Sequence, residues 1–119
     1  MARLLVVDDQ KSICEMLEIV LRKDGHRVET VTTLDLARRV LQSSIYDVVV
    51  TDIRLPDGSG LDVLQQVRDT YPETLVIMMT AYASVDSAVQ ALNLGAFRYI
   101  LKTANFVEEL RLTDRKSVV

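Results

Sequence analysis

This chain is poor in the residues that most often staple, break or metallate a fold: one cysteine, two prolines, four glycines and one histidine in 119 residues. A lone Cys14 cannot form an internal disulfide, so packing must hold the fold. With so little glycine and proline, and 49 % hydrophobic residues, the composition excludes a disordered segment. No apolar run approaches the roughly 20 residues of a bilayer span, and no signal-peptide pattern opens the chain. Aromatic residues are 5 % of the total, no basic cluster interleaves with them, and 14 basic residues are set against 17 acidic ones. Direct nucleic-acid binding by this chain is therefore not expected. The expectation is one soluble, cytoplasmic domain over residues 1–119, with no membrane segment and no output module.

What the chain does have is four short apolar runs that each end in a polar residue suited to phosphate or a divalent metal. Leu4-Leu5-Val6-Val7 leads into Asp8-Asp9, and Val48-Val49-Val50 leads through Thr51 into Asp52. Leu75 to Met79 stops at Thr80, and Tyr99-Ile100-Leu101 stops at Lys102. Uninterrupted runs rich in β-branched residues suit strands buried on both faces of a parallel sheet. Parallel strands present their carboxyl ends at one edge, where open α/β sheets bind ligands.

Helical patterns lie between the runs. Ile13, Met16, Leu17, Val20 and Leu21 form a core-facing stripe, with Gly25 as its C-terminal cap. His26 to Val31 reads as a weaker strand. Leu36, Ala37, Val40 and Leu41 mark a second helix, and Leu61, Leu64 and Val67 a third that Tyr71-Pro72 closes. Val85, Ala88, Val89 and Leu92 mark a fourth, capped by Gly95, and Phe106 and Leu110 open a weaker fifth. Five strand–helix repeats with right-handed crossovers predict a flavodoxin-like (βα)5 fold, a doubly wound five-stranded parallel sheet of order 2-1-3-4-5. Asp8, Asp9 and Asp52 are then neighbours at the switch point.

Three carboxylates at 4 Å repel by roughly 4 kcal/mol per pair at an effective dielectric near 20, so the cluster must hold protons or recruit a cation. With oxygen ligands only, that cation is Mg²⁺, with Mn²⁺ as the alternative. A carboxylate beside such a metal can act as a nucleophile toward phosphorus; Thr80 supplies a hydrogen bond and Lys102 a positive charge. Each strand end also has an ordinary reading: Asp-Asp as a cap and turn, Thr80 as a loop residue, Lys102 as a solvated lysine. That reading must explain four strand ends independently, and it loses there.

The set Asp8-Asp9, Asp52, Thr80 and Lys102 resembles the receiver domain of bacterial two-component response regulators, from Arg3 to Lys102. Supporting segments are Val50-Thr51-Asp52-Ile53-Arg54-Leu55-Pro56-Asp57-Gly58-Ser59-Gly60, Met79-Thr80-Ala81-Tyr82-Ala83 and Gly95-Ala96-Phe97. The stretch from Ala81 to Phe97 is most similar to the nitrogen-regulatory, enhancer-binding subgroup. The resemblance implies that Asp52 takes a phosphoryl group from a sensor kinase's phosphohistidine or from a phosphotransfer protein. It implies Asp9 as a direct Mg²⁺ ligand, Asp8 acting mainly through a metal-bound water, and the backbone carbonyl of Arg54 as a further ligand. Thr80 and Tyr99 match the family's switch pair. The fourth helix, fifth strand and fifth helix match its dimer face, and transcription would be controlled through an output domain or partner. Such a domain is no turnover enzyme. It catalyses only its own phosphorylation and slow dephosphorylation, and Arg54 and Tyr82 at the rim lead us to expect a long-lived product.

A phosphohydrolase of the haloacid-dehalogenase type would need a second acid two residues after Asp52, where Arg54 stands. A flavodoxin-like electron carrier would need a phosphate-cradling loop where Asp8-Asp9 stand. A receiver-like scaffold that never takes phosphate would not need all five positions. His26 sits at a turn rather than on an exposed bundle helix, and Cys14 has no second thiol, so neither is assigned chemistry. The sequence leaves its family after Lys102, where Thr103-Ala104 replaces the usual proline and its cis peptide. A trans bond is expected, because cis costs about 3 kcal/mol without proline. One extra residue, a helix starting at an Asn105 cap with Glu108, and Asp114 and Ser117 on its inward stripe predict a last helix displaced, loosely packed or exchanged.

Overall fold

The apolar runs pair side by side in one direction, as uninterrupted β-branched segments must when helices cover both faces. The computed structural model describes residues 2–82, 84–103 and 106–111. Its elements in chain order are β1 (Arg3–Val7), α1 (Lys11–Lys23), β2 (Arg27–Val31), α2 (Leu34–Ser43) and β3 (Val48–Asp52). A short ribbon, β4 (Arg54–Leu55) and β5 (Gly58–Ser59), leads into α3 (Gly60–Thr70). There follow β6 (Leu75–Thr80), α4 (Val85–Asn93) and β7 (Arg98–Leu101), and residues 106–111 are helical. The main sheet is parallel throughout, in the order β2-β1-β3-β6-β7. Counting its five strands alone, that is the expected 2-1-3-4-5.

Alternation along each strand divides the core into two layers. Leu4, Val6, Val48, Val50, Ile77 and Ile100 pack with Leu17 and Leu21 of α1 and with Phe106 and Leu110. Leu5, Val7, Val49, Val76 and Met78 pack with Ala37, Leu41, Val63, Leu64 and Val67 of α2 and α3. Leu5, Val6, Val7, Leu17 and Leu64 are all fully buried, each contributing about 2 kcal/mol relative to exposure. Cys14 belongs to the first layer as an ordinary core residue. Gly25 and Gly95 take φ of +93° and +99° where the chain leaves α1 and α4, a conformation that only glycine adopts cheaply.

Three expectations need correction. Leu36 is 41 % exposed and Leu34 is buried in its place, because Thr33 caps α2 and the stripe is phased on Leu34, Ala37 and Leu41. In α4 only Ala91 is buried; Val85, Val89 and Leu92 are 79 %, 50 % and 54 % exposed, so this stripe faces outward. The last helix is not loosely packed over its described part. The Lys102–Thr103 bond is trans, as expected, yet Phe106 and Leu110 lie in the core, and Arg111 grips Asp24 at 2.9 and 2.8 Å. Two inward anchors and one bidentate ion pair are enough to seat this turn. Asn105, Asp114 and Ser117 lie outside the described residues.

Asp57, on the β4–β5 turn, reaches the start of α2, where its carboxylate accepts from the backbone N–H groups of Leu34 (2.8 Å) and Asp35 (3.0 Å). These two bonds hold its pKa below the ordinary carboxylate value. A depressed folded value contributes stability above the unfolded pKa of about 4, and loses it as pH falls through the lower folded value. Asp57→Ala should therefore melt below the wild type near neutrality, with a deficit that shrinks in acid. Melting curves recorded across the acid range with a constant deficit would contradict this.

Candidate functional site

Register alone assembles the acidic edge. Val7 of β1 lies beside Thr51 of β3, so the residues that follow, Asp8 and Asp52, emerge as neighbours. Asp52 in turn lies beside Met79, which brings Thr80 one step further along, opposite Leu101. Lys102 follows, its backbone N–H donating to the Thr80 carbonyl at 2.8 Å. Each strand needs only the right length for its last polar residue to reach this edge.

The side chains then close on one another. One carboxylate oxygen from each of Asp8, Asp9 and Asp52 lies within 4.8 Å of the others. The Lys102 ammonium donates to Asp8 at 2.5 Å and to Asp52 at 2.8 Å. Asp8, Asp52 and Thr80 are 0 %, 8 % and 1 % exposed, whereas Asp9 faces solvent. Burial pushes the Asp8 carboxyl above its ordinary pKa, against the pull of Lys102 and of the Gln10 N–H that it accepts at 2.9 Å. Burial acts to lower the Lys102 pKa, but hydrogen bonds to Asp52 and Asp8 outweigh it, so the group is held cationic. Among the described residues, one ammonium against three carboxylates leaves the cluster short of positive charge. The donors are all oxygen, and the exposed Asp9 side leaves room for water, which fits a hard dication such as Mg²⁺.

A cavity of about 200 Å³ opens over the cluster, lined by Asp9, Asp52, Arg54, Ala81, Tyr82 and Lys102. The Arg54 guanidinium stacks 4.6 Å from the Tyr82 ring centroid at its rim. Arg54 opens β4, and its N–H donates to Asp52 at 3.1 Å, which puts its main chain against the cluster. The Thr80 hydroxyl accepts from the Tyr82 N–H at 3.0 Å. Tyr99 lies outside the cluster, half-buried beside Met78, with its hydroxyl 2.7 Å from that of Ser87. A larger cleft of about 630 Å³ lies by Arg3, Arg22, His26 and Arg27. Arg3 and Arg22 are already paired with Glu29 and Glu18 at 2.8 Å, so convergent chemistry is a better guide here than volume.

Cys14 and His26 stay out of the site. The Cys14 thiol donates to the Asp8 carbonyl at 3.3 Å and is made less acidic, chiefly by burial; His26 Nδ1 accepts from the Ala2 N–H at 3.1 Å. Sequence reasoning missed a supporting residue, Gly60. Its N–H donates to the Ile53 carbonyl at 2.8 Å, and a Cβ there would overlap the Asp52 main-chain carbonyl. The available signal was a glycine at the first position of a helix, directly after the Ser59 cap, where propensity disfavours it.

Residues 4–112 match the response regulator receiver domain. The chain belongs to that family. This receiver is 44 % identical over 98 residues to the response regulator protein PilR of Pseudomonas aeruginosa, covering 82 % of this chain and 22 % of PilR. It is 38 % identical over 110 residues to the transcriptional regulatory protein ZraR of Klebsiella oxytoca, covering 92 % of this chain and 25 % of ZraR. The receiver thus spans about a quarter of the length of these curated relatives. Among solved structures it is similar to response regulator TrrA of Thermotoga maritima in complex with Mg²⁺-BeF, at TM-score 0.87 and 33 % identity, covering 98 % of this chain and 99 % of that one. It is also similar to the beryllofluoride-activated NtrC4 receiver domain dimer, at TM-score 0.89 and 34 % identity, covering 97 % of this chain and 94 % of that one. These relatives agree with the nitrogen-regulatory, enhancer-binding subgroup. As a receiver the chain is a regulatory phosphoacceptor domain of two-component signalling rather than a turnover enzyme. Among the described residues no helix is long and apolar enough to cross a membrane.

Proposed function

We propose that Asp52 is the phosphoacceptor of this receiver and that it works with Mg²⁺ held by Asp9, Asp8, Asp52 and the Arg54 carbonyl. The observation that carries the reading is the convergence of Asp8, Asp9, Asp52 and Lys102 under one small cavity. An oxygen of Asp52 attacks phosphorus, a new O–P bond forms, and the bond to the donor's imidazole or acyl oxygen breaks with its electron pair leaving on the donor. Lys102 and the Thr80 hydroxyl bind phosphoryl oxygens and neutralise charge that grows on them. The metal, when bound, supplies further charge neutralisation, and Mn²⁺ fits the same donors. Ala81 leaves space for the incoming group. The phosphoryl source is a sensor histidine kinase or a phosphotransfer protein. The chain acts in the cytoplasm as one domain, catalysing its own phosphorylation and slow dephosphorylation. It controls transcription through an output domain or partner, without touching nucleic acid itself.

Acetyl phosphate with Mg²⁺ should add one phosphate to the wild type by intact mass and none to Asp52→Asn. A product that survives this substitution, or forms equally in EDTA, would sink the assignment.

On this reading the Arg54–Tyr82 stack, at the rim of the cavity that Asp52 also lines, screens the approach of water to the phosphoryl group. Arg54→Ala combined with Tyr82→Ala should shorten the phosphoryl half-life several-fold, since water then reaches the phosphorus in line. A half-life unchanged or lengthened in radiolabel chase would contradict this.

The output surface of the reading is the face of α4, β7 and the helix that follows. Val85, Val89, Leu92, Phe97 and Leu101 are all exposed there, a concentration of apolar side chains that suits a partner. The NtrC4 receiver is described as a beryllofluoride-activated dimer, which supports the same use here. Sedimentation should give a monomer or weak dimer in the free protein and more dimer with Mg²⁺ and beryllofluoride. Identical association in both states would remove this part of the reading.

A further inference from the structure

The first turn of α4 is held to the sheet by very little. Only Ala91 of this helix is buried, and three of its apolar residues face outward. Among the described residues, one polar side-chain contact ties its start to β7: the Tyr99 hydroxyl lies 2.7 Å from the Ser87 hydroxyl. Ser87 Oγ also lies 2.9 Å from Ser84 Oγ and 3.2 Å from the Ser84 carbonyl. A serine hydroxyl has one proton and two lone pairs. The arrangement that satisfies all three contacts has Ser87 donating to the Ser84 carbonyl and accepting from the hydroxyls of Ser84 and Tyr99. Ser87 is thereby saturated, and Tyr99 is its third partner.

We propose that Ser87 is a positioning residue, a latch that holds the Tyr99 ring against α4 in the unmodified protein and so sets the resting end of the switch. The proposal rests on the reading of Thr80 and Tyr99 as the switch pair. The path is short. Thr80 Oγ1 accepts from the Tyr82 N–H at 3.0 Å, and Ser84, which caps α4, is only four residues after Thr80. A phosphoryl oxygen that draws the Thr80 hydroxyl acts on the end of β6, the strand that pairs with the one bearing Tyr99. Met78, two residues before Thr80, lies beside Tyr99 in the sheet, so the same strand end bears on both partners of the latch. A bond made only in the resting state opposes activation, and by linkage its removal must tighten whatever ligand selects the active state.

Calorimetric titration with beryllofluoride in saturating Mg²⁺ tests this directly. Tyr99→Phe and Ser87→Ala should each tighten binding roughly three- to tenfold, the span of one neutral hydrogen bond. The double variant should go no further than either single one, because both remove the same bond. Ser87→Thr should restore wild-type affinity. Unchanged affinity in Tyr99→Phe, or additive effects in the double variant, would overturn the latch. Tightening by Ser87→Ala alone would overturn it too, because that would make Ser87 only a helix-cap residue. A wild type that binds no beryllofluoride, or an Asp52→Asn variant that binds it as well as wild type, would instead remove the phosphoacceptor reading beneath it.

Discussion

A shortage of positive charge governs this molecule. Among the described residues, three carboxylates meet at one sheet edge, two of them buried, and the one ammonium beside them is already shared between Asp8 and Asp52. Such a cluster is tolerable only because Lys102 is held cationic there and because Asp9 stays in water. Everything else follows from keeping those groups together. Five parallel strands must end in register, two apolar layers must hold them together, and Arg54 and Tyr82, after β3 and β6, must meet to close the rim.

Burial is uneven among the helices, and this unevenness has a use. The layers under α1, α2 and α3 are built from strand and helix residues of negligible exposure. The end under α4 is anchored by Ala91 and one hydroxyl pair. Elements that change position on binding are drawn from the weakly held end of a fold. Here the weakly held end is also where exposed valines and leucines concentrate. The helix with the fewest buried residues of α1 to α4 therefore carries exposed apolar side chains, the combination that the proposed phosphorylation-controlled contact would use.

Most of the site was legible because a parallel strand announces its own end. A run of buried residues that stops at a polar side chain fixes both the strand and the edge, and four such stops are Asp8, Asp52, Thr80 and Lys102. Helices on both faces followed from crossover handedness, and the favoured flavodoxin-like order agrees with the observed sheet. What escaped was whatever depends on a contact distant in sequence. Asp57 capping α2, Gly60 against the Asp52 carbonyl and Ser87 against Tyr99 join residues that no local pattern connects. Periodicity also misled where it could not distinguish an inward stripe from an outward one. The valines of α4 have the spacing of a core helix and face solvent, whereas Leu34 of α2 enters the core one position outside the expected stripe. After Lys102 an irregular sequence suggested a misplaced helix, yet Phe106 and Leu110 alone supply two well-spaced anchors.

Gly60 bears on more than packing. Its backbone rests against the Asp52 carbonyl so closely that no side chain fits between, while the Thr51 hydroxyl donates to the same carbonyl at 3.0 Å. The main chain of Asp52 is thus wedged from behind and tied from beside before any phosphoryl donor arrives. Under the proposed chemistry, the nucleophile keeps only the torsions of one short side chain to search. The entropy that a bimolecular encounter would otherwise lose at this residue is largely lost on folding instead. That gives a small-molecule donor such as acetyl phosphate a reacting group already aimed, without a kinase to orient it.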